Sequence, residues 1–173
     1  MNLSENNTSR IWALLKFIDE FAKLGIPIHI FNVREFGYVT FYYGASTITT
    51  PIATDPYFMR SKSEDQPPRK GAYYHPLDMT NIVYDMLYAK TRSNNYRFPC
   101  HCEICDRFEK ITNVPDDESA WNEFRRIHFL LVKNMELKEL RETTVPLNIA
   151  LKDKFGRSQQ TVWLPFLDKP TAF

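Results

Sequence analysis

Three cysteines crowded into six positions constrain this chain more than any other feature of its sequence. They stand at Cys100, Cys102 and Cys105 in the segment PCHCEIC, and the chain has no other cysteine. An odd number of thiols does not pair completely, so a disulfide framework does not explain them. The C-x-C-x-x-C spacing instead brings three sulfurs close enough to bind one metal ion.

A tetrahedral metal site needs a fourth ligand beyond three thiolates. His128, in the segment RRIHFLLVKNMELKELRE, is the main candidate, since it belongs to the predicted helix that follows the cysteines. His101 is an alternative, but its place between two ligand cysteines makes simultaneous binding awkward. Sulfur ligands with one imidazole favour Zn²⁺, and four protein ligands leave no open coordination position. The sequence therefore predicts a structural zinc site, against the alternative of buried free cysteines and a core histidine.

The composition indicates a soluble protein with an apolar core. Hydrophobic residues make up 43% of the 173 residues, and the 22 basic side chains nearly balance the 21 acidic ones. The total charge therefore does not indicate a partner. The opening residues MNLSENNTSR do not resemble a secretory leader, and no apolar run is long enough to cross a bilayer. We expect no membrane association and a cytoplasmic location, where thiols stay reduced.

Apolar periodicity predicts an α/β fold. The segment TSRIWALLKFIDEFAKLG has helical spacing, with Ser9 as candidate N-cap and Gly25 as the helix end. Residues 26–33 form a short, continuous, β-branched run, which is typical of a strand buried on both faces. Helical spacing resumes in LDMTNIVYDMLYAK, and a long helix is predicted over residues 117–142.

The remaining segments have weaker patterns. The stretch GYVTFYYGASTITTPI favours extended structure, but its glycines leave helix or strand open. Residues 55–71 are polar and punctuated by prolines, which predicts a loop. In the tail, Gly156 is a turn candidate, and TVWLPF is predicted to be a short strand or a docking segment.

Residues 96–142 resemble the C-terminal zinc region of the tRNA-guanine transglycosylase family. In that family the histidine ligand begins the corresponding helix, which continues through an aromatic and leucine-rich stretch to an M-x-x-I/L-R ending. The similar residues here are His128, Phe129, Met135, Leu140 and Arg141. The segment LGIPIHIFNV is similar, more weakly, to the last strands of the family's barrel.

The resemblance implies a fold, a division of the chain and an activity. The fold would be a partial (β/α)8 barrel over residues 1–95, followed by a zinc-binding helical subdomain over residues 96–173. The activity would be that of a pentosyltransferase, a glycosyltransferase that exchanges guanine for a 7-deazaguanine base. The substrate would be tRNA, as in queuosine synthesis, or DNA, as in the DNA-modifying relatives.

One position in the resemblance leaves catalysis open. In the family, the nucleophilic aspartate lies in a G-I/V-D-x-F-D segment, which aligns best with GYVTFYYG. Gly37 and Phe41 match, but Tyr42 stands where the nucleophile is expected, and a phenol needs a strongly activating base to act as one. Asp55, in ATDP, is the nearest alternative carboxylate and the candidate catalytic residue, although Asp before Pro is also a common turn former.

Aromatic and basic residues suggest a surface for nucleic acid. Tyr73 and Tyr74 could stack on bases, and Arg125 and Arg126 could meet phosphates. The alternatives are aromatic packing beneath the loop and a solvated helix face diluted by glutamates.

Two functions follow from these observations. A complete barrel of this type has about 250 residues, so the chain would need a second protein chain or a second copy to complete it and to cover exposed strand edges. In the first function, the chain is the zinc-bearing component of such a transglycosylase. In the alternative, motivated by Tyr42, it is a catalytically silent zinc module that binds nucleic acid or protein.

Overall fold

A computed structural model of the chain describes residues 5–31, 33–50, 71–93, 98–108, 113–114, 117–158 and 160–169. The chain divides into two compact units. Unit 1 combines Met1–Pro51 with Glu142–Phe173, and unit 2 is Ile52–Arg141. The predicted boundary between residues 95 and 96 lies inside unit 2.

Unit 1 begins with helix α1, Glu5–Lys23, which buries Leu15 and Ile18 completely. The predicted helix end is confirmed, because Gly25 takes a positive φ of 72° and its N–H donates to the carbonyl of Ala22. Glycine adopts this conformation without the steric cost that a Cβ would add. The predicted N-cap is wrong: Ser9 lies within the helix, which begins a turn earlier.

Two short parallel strands with a helix between them follow in unit 1. Strand β1, His29–Ile30, pairs with β2, Thr47–Ile48, and helix α2, Phe36–Tyr42, connects them. The expectation of a strand over residues 26–33 buried on both faces is wrong. Among the described residues of this range, the strand comprises only His29 and Ile30. Ile26 is 44% exposed and Phe31 is 73% exposed, so apolar side chains on either side of the strand face solvent.

Helix α6, Leu147–Arg157, and a 3-10 helix, Thr161–Leu167, complete unit 1. The 3-10 helix packs against α6 and α2 and buries Phe166 and Leu167, as a docking segment would. Gly156, predicted to form a turn, instead lies near the end of α6. The core of unit 1 is aromatic, with Trp12 against Phe166 at 5.0 Å between ring centroids.

The described part of unit 2 contains a β-hairpin and three α-helices. Strand β3, Tyr73–His75, pairs antiparallel with β4, Thr80–Ile82. The helices are α3, Tyr84–Ser93, α4, Glu103–Phe108, and α5, Glu118–Glu142, whose last residue belongs to unit 1. The prediction of the long helix is confirmed, and Asp117 Oδ1 accepts a hydrogen bond from the N–H of Ala120 at its start.

The helix predicted over LDMTNIVYDMLYAK begins later than expected. Its first half forms the hairpin turn and β4, in which Met79 is buried with a positive φ of 51°. Helix α3 starts only at Tyr84. The pairing of Tyr73 with Ile82 and of His75 with Thr80 favours the hairpin over the helix here.

The fold thus combines α-helices and β-strands and is mainly helical. The predicted class is confirmed only in this coarse form. Within the described ranges the strands form two separate two-stranded sheets and no closed barrel. None of the described helices combines the length and the apolar character needed to span a membrane.

Candidate metal centre

Four side chains with metal-ligating atoms converge inside unit 2. The Sγ atoms of the three cysteines and a ring nitrogen of the histidine all lie within 4.8 Å of one another, and all four residues are buried. They are the predicted set: Cys100, Cys102, Cys105 and His128. The cluster fits a metal site.

Local structure explains how the cysteines converge. Cys100 and Cys102 lie in the turn before α4, and Cys105 lies in its first turn. The N–H of Cys102 donates to the sulfur of Cys100 at 3.3 Å, and the N–H of Asp106 donates to the carbonyl of Cys102 at 3.0 Å. These two bonds fold the short loop back on itself so that its sulfurs point to one place.

Helix α5 contributes the histidine from its buried face. His128 is fully buried, and its Nδ1 lies 3.3 Å from Cys102 Sγ and 3.2 Å from Cys105 Sγ. Its other ring nitrogen, Nε2, lies 2.8 Å from the backbone carbonyl of Tyr74. A carbonyl only accepts hydrogen bonds, so Nε2 carries the proton and Nδ1 presents its lone pair to the sulfurs.

Strand β3 encloses the cluster on the histidine side. The ring of Tyr73 stacks on the His128 imidazole, with centroids 4.2 Å apart and planes 13° from parallel. The hydroxyl oxygen of Tyr73 lies 3.6 Å from Cys105 Sγ. Phe124 lies nearly parallel to both rings at 6.4 Å from Tyr73 and 6.2 Å from His128. The cluster is therefore walled by aromatic rings.

The three thiols share their protons unequally. Hydrogen bonds from Cys100 and Cys105 hold the pKa of Cys102 well below its ordinary value. Donation to Cys102 raises the pKa of Cys100 to about 11, and hydrogen bonding to Cys100 and Cys102 raises the pKa of Cys105. Because metal ions bind the thiolate form, binding at these sulfurs would release the protons that they carry.

The alternative fourth ligand, His101, lies outside the cluster. Its side chain is 92% exposed, and its Nδ1 lies 3.4 Å from a carboxylate oxygen of Asp106. Neighbouring ligands hold the loop so that the residue between Cys100 and Cys102 points to solvent.

Three of the four residues predicted to bind nucleic acid are buried. Tyr73 and Tyr74 are 0% and 1% exposed, so neither ring offers a face to a base, and the alternative of aromatic packing is correct. Arg125 is also buried, and its Nε donates to Asn122 Oδ1 at 2.8 Å. Of the four residues only Arg126 faces solvent. Two of them contact the cluster instead, Tyr73 through its side chain and Tyr74 through its backbone carbonyl.

Of the two positions considered for catalysis, the structure describes only Tyr42. Asp55 lies outside the described residues. Tyr42, at the end of α2, packs edge-on against Tyr43, with the Lys169 ammonium 5.0 Å from its ring centroid.

A buried cluster of charged side chains on α5, in contact with Tyr74, was not predicted from the sequence. The Lys133 ammonium donates to Glu136 Oε2 at 3.0 Å and to the Tyr74 hydroxyl at 2.7 Å, and that hydroxyl donates to Glu136 Oε1 at 3.1 Å. The side chains of Lys133 and Glu136 are 11% and 5% exposed. Lysine and glutamate at i,i+3 spacing also occur on solvated helix faces. The spacing therefore does not predict that this pair is buried.

Gly71 is a second feature that spacing alone did not reveal. Its carbonyl accepts a hydrogen bond from Trp121 Nε1 at 2.7 Å. A Cβ at this position would lie 2.1 Å from the guanidinium carbon of Arg125. A larger residue at this position would therefore require the Arg125 side chain to move.

Comparisons with protein-family models, with curated proteins and with solved structures found no match for this chain. Functional inference therefore depends on the geometry of the site and on the motif.

Proposed function

We propose that the chain is a zinc protein in which Cys100, Cys102, Cys105 and His128 hold one structural Zn²⁺. The observation that carries this proposal is the convergence of three buried sulfurs and one imidazole nitrogen. Three thiolates and one imidazole are a common ligand set for structural zinc, and soft sulfur donors disfavour Mg²⁺ and Ca²⁺.

The distances support tetrahedral zinc. With Zn–S of about 2.3 Å and Zn–N of about 2.0–2.1 Å, a sulfur and a nitrogen in a tetrahedral site lie roughly 3.5 Å apart. The separations of His128 Nδ1 from Cys102 and Cys105 are 3.3 and 3.2 Å. An ion would therefore enter with shifts of only a few tenths of an ångström at the histidine.

The closed ligand set supports a structural role for the ion. Four protein ligands occupy every position of a tetrahedron, whereas catalytic zinc keeps one position for water or substrate. The ion would join the turn before α4 to α5. Along the chain, residues 109–117 separate these two helices. Structural zinc contributes on the order of 10 kcal/mol of apparent binding free energy in small modules.

Exogenous ligands test whether the site is closed. Co²⁺ takes tetrahedral sulfur and nitrogen sites and gives a visible spectrum that responds to its coordination. We expect that azide or imidazole added to the Co²⁺ protein leaves the spectrum unchanged. A new spectrum on addition of either ligand would show an open position and would overturn the structural role.

We propose further that the zinc protein acts in a tRNA-guanine-transglycosylase-like system that exchanges guanine for a 7-deazaguanine base in tRNA or DNA. The support is the zinc motif with its following helix in residues 96–142. A second chain or a second copy would supply the rest of a (β/α)8 barrel. The parallel pair β1 and β2, connected through α2, is the kind of unit from which such barrels are built.

A base-exchange assay tests this second proposal. Labelled guanine or a labelled 7-deazaguanine would be incubated with tRNA or with DNA and with the protein purified together with its partners from cells. Incorporation that depends on the chain supports the exchange system. If the purified assembly incorporates no label into either nucleic acid, the alternative remains, a catalytically silent zinc module. Tyr42 at the expected nucleophile position favours that alternative.

The cytoplasm is the compartment that suits the site. All three cysteines are free thiols in the structure, and a reducing environment keeps them available as ligands.

A further inference from the structure

Tyr73 touches two of the proposed zinc ligands at once. Its ring lies flat against the His128 imidazole at 4.2 Å, and its hydroxyl oxygen lies 3.6 Å from Cys105 Sγ. The residue is 0% exposed. A tyrosine in this place does more than fill volume, because phenylalanine would fill the same space without the hydroxyl.

The direction of the hydrogen bond follows from the chemistry of the ligand. A thiolate bound to a metal has no proton, so the Tyr73 hydroxyl must be the donor and Cys105 Sγ the acceptor. A tyrosine hydroxyl is protonated at neutral pH, so it has a proton to donate. Such a bond draws electron density from the sulfur and weakens its donation to the metal.

The charge of the site gives this bond its importance. Three thiolates around one divalent cation leave a net charge of about −1 inside a buried cluster, and a buried charge is costly unless hydrogen bonds compensate it. The Cys102 N–H already donates to Cys100 Sγ at 3.3 Å. The Tyr73 hydroxyl provides the corresponding donor for Cys105.

The ring of Tyr73 has a separate effect on the histidine. The Tyr74 carbonyl fixes the edge of the imidazole through Nε2, and the Tyr73 ring fixes its plane. Two consecutive residues of β3 thus determine the tautomer and the orientation of His128. Partners of this kind commonly change metal affinity by 10- to 100-fold when they are removed.

We propose that Tyr73 is a positioning residue that controls the lability of the metal centre. Its hydroxyl sets the electron density on Cys105 Sγ, and its ring holds the His128 imidazole in the orientation for metal binding. This inference rests on the proposed zinc site and adds the residue that regulates it.

The variant Tyr73→Phe tests the hydroxyl alone. In the Co²⁺ protein, loss of the donor should move the sulfur-to-cobalt charge-transfer band to lower energy, since the sulfur becomes more electron-rich. The Zn²⁺ protein should release its metal to an excess of chelator about 10-fold faster, because the buried net negative charge loses a compensating donor. Tyr73→Leu, which also removes the ring, should lower metal affinity further.

Tyr74→Phe is the matched control. It removes an equally buried hydroxyl from the neighbouring residue, but that hydroxyl contacts Glu136 and Lys133 rather than sulfur. The control should lower stability and leave the charge-transfer band in place. If Tyr74→Phe shifts the band as much as Tyr73→Phe, or if neither shifts it, the proposal is overturned.

Two further results separate this inference from the proposed function. If the wild-type protein binds no metal, both proposals fail. If it binds one ion and Tyr73→Phe behaves like wild type, only the role of Tyr73 fails. Should Tyr73→Phe not fold, site-specific replacement of Tyr73 by 3-fluorotyrosine, a stronger donor, should move the band to higher energy, and an unmoved band would overturn the proposal.

Discussion

The imidazole of His128 donates a 2.8 Å hydrogen bond from Nε2 to the backbone carbonyl of Tyr74. Because this bond fixes the proton on Nε2, the lone pair on Nδ1 faces Cys102 and Cys105 at 3.3 and 3.2 Å. The strand and the long helix therefore orient the histidine so that Nδ1 faces the two sulfurs.

Replacing Cys102 by serine should remove the metal. A neutral hydroxyl is a far weaker zinc ligand than a thiolate, and Cys102 is one of the three buried sulfurs of the cluster. We expect a fall in zinc affinity of at least about 100-fold, measured by elemental analysis after dialysis and by competition with a chelator.

His101→Ala is the control for that experiment. This histidine lies in the same loop but is 92% exposed and outside the cluster. It should keep a full complement of metal. Loss of zinc from His101→Ala, or retention in Cys102→Ser, would show that the ligand set is wrong.

Removing zinc with a chelator should loosen unit 2 and leave unit 1 protected. The four ligands all lie in unit 2, whereas the core of unit 1 is built from α1, α2, α6 and the 3-10 helix. Amide hydrogen exchange read by mass spectrometry should therefore show faster exchange in α4 and the middle of α5. Exchange in α1 and α6 should be unchanged, and equal acceleration in both units would contradict a local structural role.

The buried pair of Lys133 and Glu136 should be sensitive to loss of one partner. Glu136→Gln leaves the Lys133 ammonium buried beside Tyr74 without its opposite charge, and breaking such a pair costs about 3–5 kcal/mol. Lys133→Met combined with Glu136→Gln should cost less than Glu136→Gln alone. Urea unfolding of the zinc-loaded proteins measures both free energies.

An exposed ion pair provides the comparison for this prediction. Arg157 and Asp153 on α6 are paired, but their side chains are 68% and 62% exposed. Asp153→Asn should leave the free energy of unfolding unchanged within error, since solvent screens such pairs. If Asp153→Asn and Glu136→Gln change the free energy of unfolding by the same amount, the argument from burial of the Lys133 pair is wrong.

Asp19 should make the stability of the protein depend on pH in acid. Burial alone would raise its pKa, but hydrogen bonds from Lys169 and Lys23 outweigh burial and hold the pKa below 3.8. A lowered carboxyl pKa contributes stability above the unfolded value of about 3.9 and loses it as pH falls through the folded value.

Paired unfolding of wild type and Asp19→Asn measures this contribution. The difference in free energy of unfolding should be largest at neutral pH and should shrink toward zero in acid below the folded pKa, because protonated Asp19 then resembles asparagine. Any loss of metal in acid affects both proteins alike. A difference that stays constant with pH would contradict the role given to the carboxylate.

Sequence patterns predicted the elements whose signals are local. The spacing of apolar residues located α1 and α5, and Gly25 marked a helix end because a positive φ favours glycine. Gly156 carried the same signal yet lies within α6, since a glycine in a helix is tolerated near its end. The hairpin of β3 and β4 was missed because Met79 and Ile82 also fit helical spacing, and its turn contains a non-glycine residue at positive φ.

The cluster of three cysteines and one histidine was predictable for a chemical reason, and its surroundings were not. Cysteine and histidine side chains are the usual ligands of zinc. Three of the four candidate ligands also lie within one short segment, so their proximity is evident from the sequence. Tyr73 and Tyr74 have many possible uses, and only the tertiary structure brings them to residues that lie far along the chain. Their contacts therefore could not be predicted from the sequence.

A native mass spectrum of the protein purified from its own cells tests the central claim most directly, because it reports bound metal and bound chains together. The account predicts a mass increase of one zinc ion per chain, which disappears after acidification or chelation. A folded chain that carries no metal under native conditions would contradict the zinc site and the inference about Tyr73 that depends on it.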